Sequence, residues 1–182
     1  MNIAYVCDQY WPVISGVSVS NDMFKKHLEK LGCRVYFFVP NYPGAEELDR
    51  SMGNRDVFRL RSYPLFFNRE NRLVFKMEKR KLYRALGSIK PDIIHAHSEF
   101  AIAVMANKYA RKKNIPFIYT AHTNWEELVS LYIPFFSNMI GRLYARQRLR
   151  RTWNKADLLI APTSIMEVLL QLYMVKVPVK VL

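Results

Sequence analysis

The chain has 182 residues, half of them hydrophobic, with 28 Lys and Arg against 15 Asp and Glu, a formal net charge of +13. Such length and composition exclude a disordered chain and suit one domain with a substantial core, and the charge favours an anionic partner: nucleic acid, a phosphorylated small molecule or an acidic membrane. No apolar stretch reaches the roughly 18 to 20 residues that span a bilayer, and Met1 leads straight into strand residues without a signal-peptide pattern, so any membrane contact is expected to be peripheral.

An apolar run from Ile3 to Cys7 reads as a buried parallel strand, followed by a loop through Asp8, Tyr10, Trp11 and Pro12 to Ser15, Gly16 and Val17. Helical periodicity from Val17 to Leu31 stops at Gly32, a C-terminal cap, and Arg34 to Pro40 is the second strand. Asn41 to Asp56, with Pro43, Gly44 and Gly53 among charges, reads as a surface loop before a short strand at Val57 to Arg61. A helix is expected from about Glu70 to Ser88, a strand over Pro91 to His97, a helix from Glu99 to Lys113 and a strand from Pro116 to Ala121. Pro134 interrupts Asn124 to Asn138, which is expected to be a loop or broken helix. A basic helix (Met139 to Lys155), a strand (Asp157 to Ala161), a helix (Ser164 to Tyr173) and a last strand (Val179 to Leu182) complete the order. Strands alternating with helices imply a Rossmann-like α/β fold: a parallel sheet with helices on both faces.

Cys7 and Cys33 fall at opposite ends of neighbouring strands, too far apart to bridge, which fits a reducing cytoplasm. Ligands of open α/β sheets collect at the carboxyl ends of the strands, which places the expected site near Gly16. A dinucleotide fingerprint needs three glycines and an acid at the end of the second strand, and this chain has Gly16 alone and ends that strand in Val39, Pro40 and Asn41. What remains is a glycine that lets a phosphate or sugar hydroxyl approach backbone N–H groups at a helix start, or one needed only for the turn. His95, His97 and His122 end strands, and together could hold a metal or serve the core; for His122, on the ligand edge, substrate contact is equally open. No Gly-x-Ser-x-Gly elbow supports a serine hydrolase.

Two basic segments admit either a solvated or an anion-binding reading. The expected helix from Arg69 gathers Arg72, Lys76, Lys79, Arg80 and Tyr83 on one side with Val74, Phe75, Leu82, Ala85 and Leu86 opposite, and the later basic helix carries the stripe Arg142, Arg146 and Arg150. Leu128, Val129, Leu131, Tyr132, Ile133, Phe135 and Phe136 crowd a segment between them, which suits acyl chains beside a lipid headgroup or packing under the sheet. Arginines spread around the second helix and no groove-reading or base-stacking motif argue against nucleic acid as partner.

Four motifs in order, Tyr5 to Pro12 with Ser15-Gly16-Val17-Ser18, Pro91 to Glu99, Tyr119 to Thr123 and Ala156 to Ser164, resemble the amino-terminal domain of the family 4 (group 1) retaining glycosyltransferases across essentially the whole chain. Among these the chain is most similar to the bacterial members that glucosylate diacylglycerol, and also to those that mannosylate phosphatidylinositol. The resemblance implies a GT-B architecture in which residues 1–182 form the acceptor-side domain and a carboxyl-terminal donor-binding domain lies outside this chain. It implies no cofactor and no metal, with a nucleotide sugar such as UDP-glucose as donor, a lipid acceptor, and a cytoplasmic protein attached peripherally to the inner face of the membrane. Gly16 and His122 would meet the donor, His122 as the catalytic residue. Ser18, Tyr10, Glu99 and Asn124 would meet the acceptor, and Arg72, Lys76, Lys79, Arg80, Arg142, Arg146 and Arg150 the anionic membrane surface. Where the family usually has two glycines before the valine, this chain has Ser15 and Gly16. The paired carboxylates of retaining glycosidases are not apparent, so no nucleophile is named. A soluble or polysaccharide acceptor is the other reading within the family, and a basic nucleic-acid-binding module the reading outside it.

Overall fold

A computed structural model describes residues 1–65, 71–122 and 139–182, the side chains of 139–142 excepted. The chain divides into two compact units, Met1–Phe117 and Ile118–Leu182.

In the first unit, β1 (Asn2–Val6) is flanked on one side by β2 (Arg34–Pro40) and on the other by β6 (Ile93–Ala96), and β2 carries β3 (Val57–Leu60) at the edge, all parallel. Alternate residues Ile3, Tyr5, Cys7, Val35, Phe37 and Val39 form one core face, against which Leu28 of α1 (Gly16–Lys30) packs. Ala4 and Val6 point the other way and are equally buried, so the strands are covered on both faces and read as continuous apolar runs. Helix α3 (Lys79–Ile89) buries Leu82, Leu86 and Ile89, and its Tyr83 packs edge-on against Tyr109 of α4 (Ala101–Lys113) at 5.0 Å. The second unit is a parallel array in which β8 (Leu158–Ala161) lies between β7 (Phe117–Thr120) and β9 (Val179–Val181). Helix α5 (Met139–Trp153) buries Leu149 and Trp153, the latter stacked on Tyr173 at 5.7 Å. Helix α6 (Ser164–Leu172) starts at Thr163, whose hydroxyl accepts from Met166 N, and buries Met166 and Leu170.

Gly32, at φ 78°, ends α1 as expected, with Cys33 N donating to Leu28 O. Both cysteines are free. Two expectations fail. The segment expected as a loop contains α2 (Ala45–Ser51), which starts after Gly44 at φ 74° and carries Glu46 and Glu47 in its first turn and Arg50 in its last, matching the helix dipole. It is held by Asp49, which takes two bonds from the Arg59 guanidinium of β3, Nε to Oδ2 at 2.8 Å and Nη2 to Oδ1 at 2.9 Å, while Nη1 donates to Pro40 O at 3.2 Å.

The helix expected from Glu70 begins only at α3. Before it, β4 (Ser62–Pro64) and β5 (Arg72–Val74) form an antiparallel pair, followed by a 3-10 turn at Lys76–Glu78. Arg72 therefore does not join a cationic helix face. Its Nε donates to Ser62 Oγ at 2.9 Å and its Nη2 to Ser62 O at 2.9 Å, and its guanidinium lies over the Tyr42 ring. Asn124 and the apolar cluster 128–136 lie outside the described residues.

The Asp49–Arg59 pair is nearly solvent-free, so removing one partner strands a buried charge. Asp49→Ala is expected to lower the unfolding free energy by about 3 to 5 kcal/mol, read from urea denaturation; a loss within about 0.5 kcal/mol, the size of an ordinary surface change, would show that the pair does not hold α2.

Candidate functional site

In the first unit the candidate site is the turn from β1 into α1. Ser15 caps the helix: its Oγ accepts from Ser18 N at 3.2 Å, and Ser18 Oγ accepts from Ser15 N at 2.8 Å, a reciprocal capping box with serine at both ends. The Ser18 hydroxyl, fully buried, also lies 2.9 Å from Ser15 O and 3.1 Å from Val13 O. Tyr10, 2% exposed, stacks on Phe37 at 4.4 Å, lies beneath the Arg59 guanidinium and donates its hydroxyl to Asp22 Oδ1 at 2.9 Å. Trp11 Nε1 donates to the other Asp22 oxygen at 2.5 Å. Ser18 and Tyr10, expected at the acceptor, are both buried here and hold the loop in shape.

Gly16 is the opposite case. It is the exposed first residue of α1, and a Cβ built on it meets nothing within 4 Å. No turn geometry or neighbouring side chain therefore demands a glycine here. Its place at the start of a 15-residue helix puts unpaired N–H groups and the positive end of the dipole at the carboxyl end of β1, where an anion or sugar hydroxyl is favoured.

Beside this loop lies a group that the sequence reading passed over. Asp8 directly follows the apolar strand, is 9% exposed, and neither of its oxygens makes a hydrogen bond of normal geometry. Burial pushes its pKa up to about 7, against which the nearby Ser98 hydroxyl and Phe100 backbone act in the lowering direction. Around it, Asn21 Nδ2 donates to Cys7 Sγ at 3.2 Å and the Tyr42 hydroxyl donates to Asp8 O at 3.4 Å. His95 and His97 stack on each other at 4.1 Å, with Tyr5 against both at 5.1 and 4.7 Å. This places the strand-end pair in aromatic packing on β1, and among the described residues no three His, Cys, Asp or Glu side chains are grouped to hold a metal ion. Glu99 is half-buried between β6 and α4.

In the second unit, His122 follows β7 and is half-buried, and burial pushes its pKa down to about 4. At neutral pH it is an uncharged imidazole with one donor and one acceptor nitrogen, able to bond a hydroxyl but not to neutralise a phosphate. Arg146 lies over the Tyr173 ring at 5.2 Å, and Arg150 is half-buried. Lys76, Lys79 and Arg80 are exposed, as expected of a cationic face. Phe75 and Met77 are exposed beside them, 47% and 69%, and with Tyr63, Lys76 and Ala101 line an apolar cavity of roughly 640 Å³. Phe75 is expected on the buried side of a helix; in the structure it follows buried Val74 of β5 in extended backbone and stands exposed.

The family model of Glycosyltransferase Family 4 matches residues 14–182. The chain belongs to that family. It is 28% identical to an alpha-monoglucosyldiacylglycerol synthase of Streptococcus pneumoniae over the whole chain, covering 40% of that protein, and 29% identical to a synthase of the same name from Acholeplasma laidlawii over 78% of the chain, covering 34% of that protein. The chain thus spans about 40% of the length of the first of these relatives and about a third of the second. A glycosyltransferase structure from Rickettsia africae superposes over 99% of the chain and 42% of its own length with a TM-score of 0.56 at 19% identity, a likeness of fold. The family 4 chain has the Rossmann-like fold of GT-B glycosyltransferases.

Asp8 sets a pH test. Its folded-state pKa, about 7, lies above the unfolded value of about 3.9, so its contribution to stability is fully present below pH 4 and is lost as the pH rises to 7, by about 4 kcal/mol over three units. His122 works in the other sense, its depressed pKa costing stability as the pH falls below 6.5. Asp8→Asn is therefore expected to melt higher than the parent at pH 8 and within experimental error of it at pH 4; equal melting temperatures at both values would mean that Asp8 is solvated.

Proposed function

We propose that this chain is the acceptor-side portion of a retaining glycosyltransferase that moves a hexose, glucose from UDP-glucose, to a membrane lipid of the diacylglycerol type. The observation that carries it is Gly16: an exposed glycine at a helix N-terminus that its own chain does not require, in a family 4 protein aligned over its full length with a glucosyldiacylglycerol synthase. Retention needs a leaving group whose charge is stabilised and an acceptor hydroxyl held on the face from which it departs. Preorganised N–H donors at the start of α1 serve the first need, because they lie in place before charge develops on the departing diphosphate. The neutral His122 ring serves a different one, fixing sugar hydroxyls near the reacting carbon through single hydrogen bonds. The donor-side half of the site is assigned to sequence beyond residue 182, with no cofactor and no metal.

The lipid side of the reading rests on the face around Phe75 and Met77. Apolar side chains standing in solvent beside Lys76, Lys79 and Arg80 suit an interface where rings and thioether enter the acyl boundary and the cations meet lipid phosphates. No described helix is long and apolar enough to cross a membrane, and a peripheral mode on the cytoplasmic face agrees with the free cysteines. Arg72 is left out of this face, being bonded to Ser62, and Arg146 is engaged with Tyr173.

Gly16→Ala separates function from fold. Its melting temperature is expected to stay that of the parent, since the added methyl meets open space, while glucosyl transfer by the complete enzyme falls about tenfold or more; undiminished kcat/KM would remove Gly16 from the donor site. Reversal of Lys76, Lys79 and Arg80 to Glu is expected to weaken cosedimentation with phosphatidylglycerol vesicles about a hundredfold, at about 1 kcal/mol per cation. Vesicle binding that the triple reversal and added salt both leave unchanged would count against the membrane face.

A further inference from the structure

The basic helix of the second unit holds a feature that the transferase reading does not use. Arg150 and Arg151 in the last turn of α5, Lys155 just after it, and Lys176 in the connection from α6 to β9 line one cavity of roughly 560 Å³ with Gln147 and Asn154. Among the described residues no carboxylate lines it. Cations near a helix C-terminus favour the dipole, which accounts for the two arginines. It does not account for Lys176, which comes from another segment and approaches the same space. The approach is built in: Lys176 N donates to Asn154 Oδ1 at 2.7 Å, tying the α6–β9 connection to the end of α5. That bond occupies the amide oxygen and leaves Asn154 Nδ2 as a donor. Arg150, Arg151 and Lys176, like charges around one cavity, repel one another, and an anion in their midst turns repulsion into attraction.

The position is as telling as the charge. Asn154 and Lys155 precede β8 and Lys176 precedes β9, so the cavity lies at the amino ends of these strands. Ligands of open α/β sheets bind at the carboxyl ends, the side on which His122 follows β7. We propose that this cavity is a second anion site, separate from the transfer site, that binds the phosphate groups of a larger molecule. Lysine ammonium groups act as point charges and arginines as planar forks, a combination suited to phosphate oxygens in more than one direction. Its volume exceeds that of a single inorganic ion and falls in the range of sites for small organic ligands. This proposal goes beyond the transferase reading and does not depend on it. The phosphate can be carried by a lipid headgroup or by a soluble metabolite.

Calorimetric titration of the full 182-residue chain with inorganic pyrophosphate at low ionic strength tests it. One saturable site is expected, with affinity reduced about tenfold or more in Arg151→Ala/Lys176→Ala. Both residues are exposed, so the fold is retained, which circular dichroism checks. Lys112→Ala/Lys113→Ala, which removes the same charge from the end of α4, is expected to bind as the parent does. Phosphatidylglycerol vesicles that displace pyrophosphate from the parent would identify a lipid headgroup as the source; failure of vesicles to compete while pyrophosphate still binds would identify a soluble one. Unsaturable binding, or an equal loss in the two double variants, would reduce the cluster to non-specific charge and overturn the proposal.

Discussion

The Asp22 carboxylate, accepting from the Tyr10 hydroxyl and from Trp11 Nε1, is the interaction on which the arrangement at the head of the chain depends. A loop leaving a buried strand must reverse and feed a helix without leaving its polar groups unpaired in the core. Two neighbouring aromatic side chains achieve this by burying their rings and handing both polar tips to a single acid on the second turn of α1. Tyr10 also stacks on Phe37 of β2 and lies beneath Arg59 of β3, so the same residue links loop, helix and two strands. With the loop held in this way, the capping box can present Gly16 outward. The exposed glycine is the end of a chain of constraints whose other members are buried or half-buried.

The same economy of polar groups explains the unusual neighbourhood of Asp8. Asp49 is buried but takes two charge-assisted bonds from Arg59, whereas Asp8, buried to a similar degree, meets a hydroxyl and a backbone amide and no cation among the described residues. An ion-paired carboxylate can stay charged in the interior; one without a cation relieves its desolvation by taking up a proton. The two acids therefore divide into a structural charge that binds α2 to β3 and a proton-holding group at the ligand end of β1. Perturbed acids of this second kind gather at functional sites, because a core built for stability alone has no use for them.

Much of the fold was legible because buried parallel strands announce themselves as apolar runs: β2 lies over the very residues expected, and β1, β6, β7 and β8 fall within or nearly within their expected spans. What failed was short or dependent on distant partners. At seven residues α2 makes barely two turns and shows little periodicity, and its anchor is an ion pair ten positions away that no local pattern reveals, although the acidic start and basic end matched a helix dipole. The three residues of β5 are a strand only because β4 pairs with them, so the helical wheel ran on past the true start of α3 and carried Arg72 onto the wrong surface. The part Ser18 plays in the loop was hidden for a related reason. A capping box normally ends in Glu or Gln, and the serine in that place concealed that its hydroxyl was already committed.

The basic character of the chain also acquires a structure. Read as composition, a charge of +13 attracts any polyanion, and a helix wheel sorts cations only by the face of one helix. The folded chain sorts them by what each side chain already bonds. Arg59 is spent on Asp49, Arg72 on Ser62 and Arg146 on an aromatic ring. Those that remain in solvent around the 3-10 turn keep company with exposed Phe75 and Met77, whereas those at the end of α5 surround a cavity that, among the described residues, has amide donors and no apolar side chain. A bilayer surface rewards cations mixed with apolar groups, because insertion and headgroup attraction then add. A discrete phosphate rewards convergent donors from several segments, held by their own backbone bonds. The two clusters differ in this respect, and the difference rests on neighbours that a residue count does not contain.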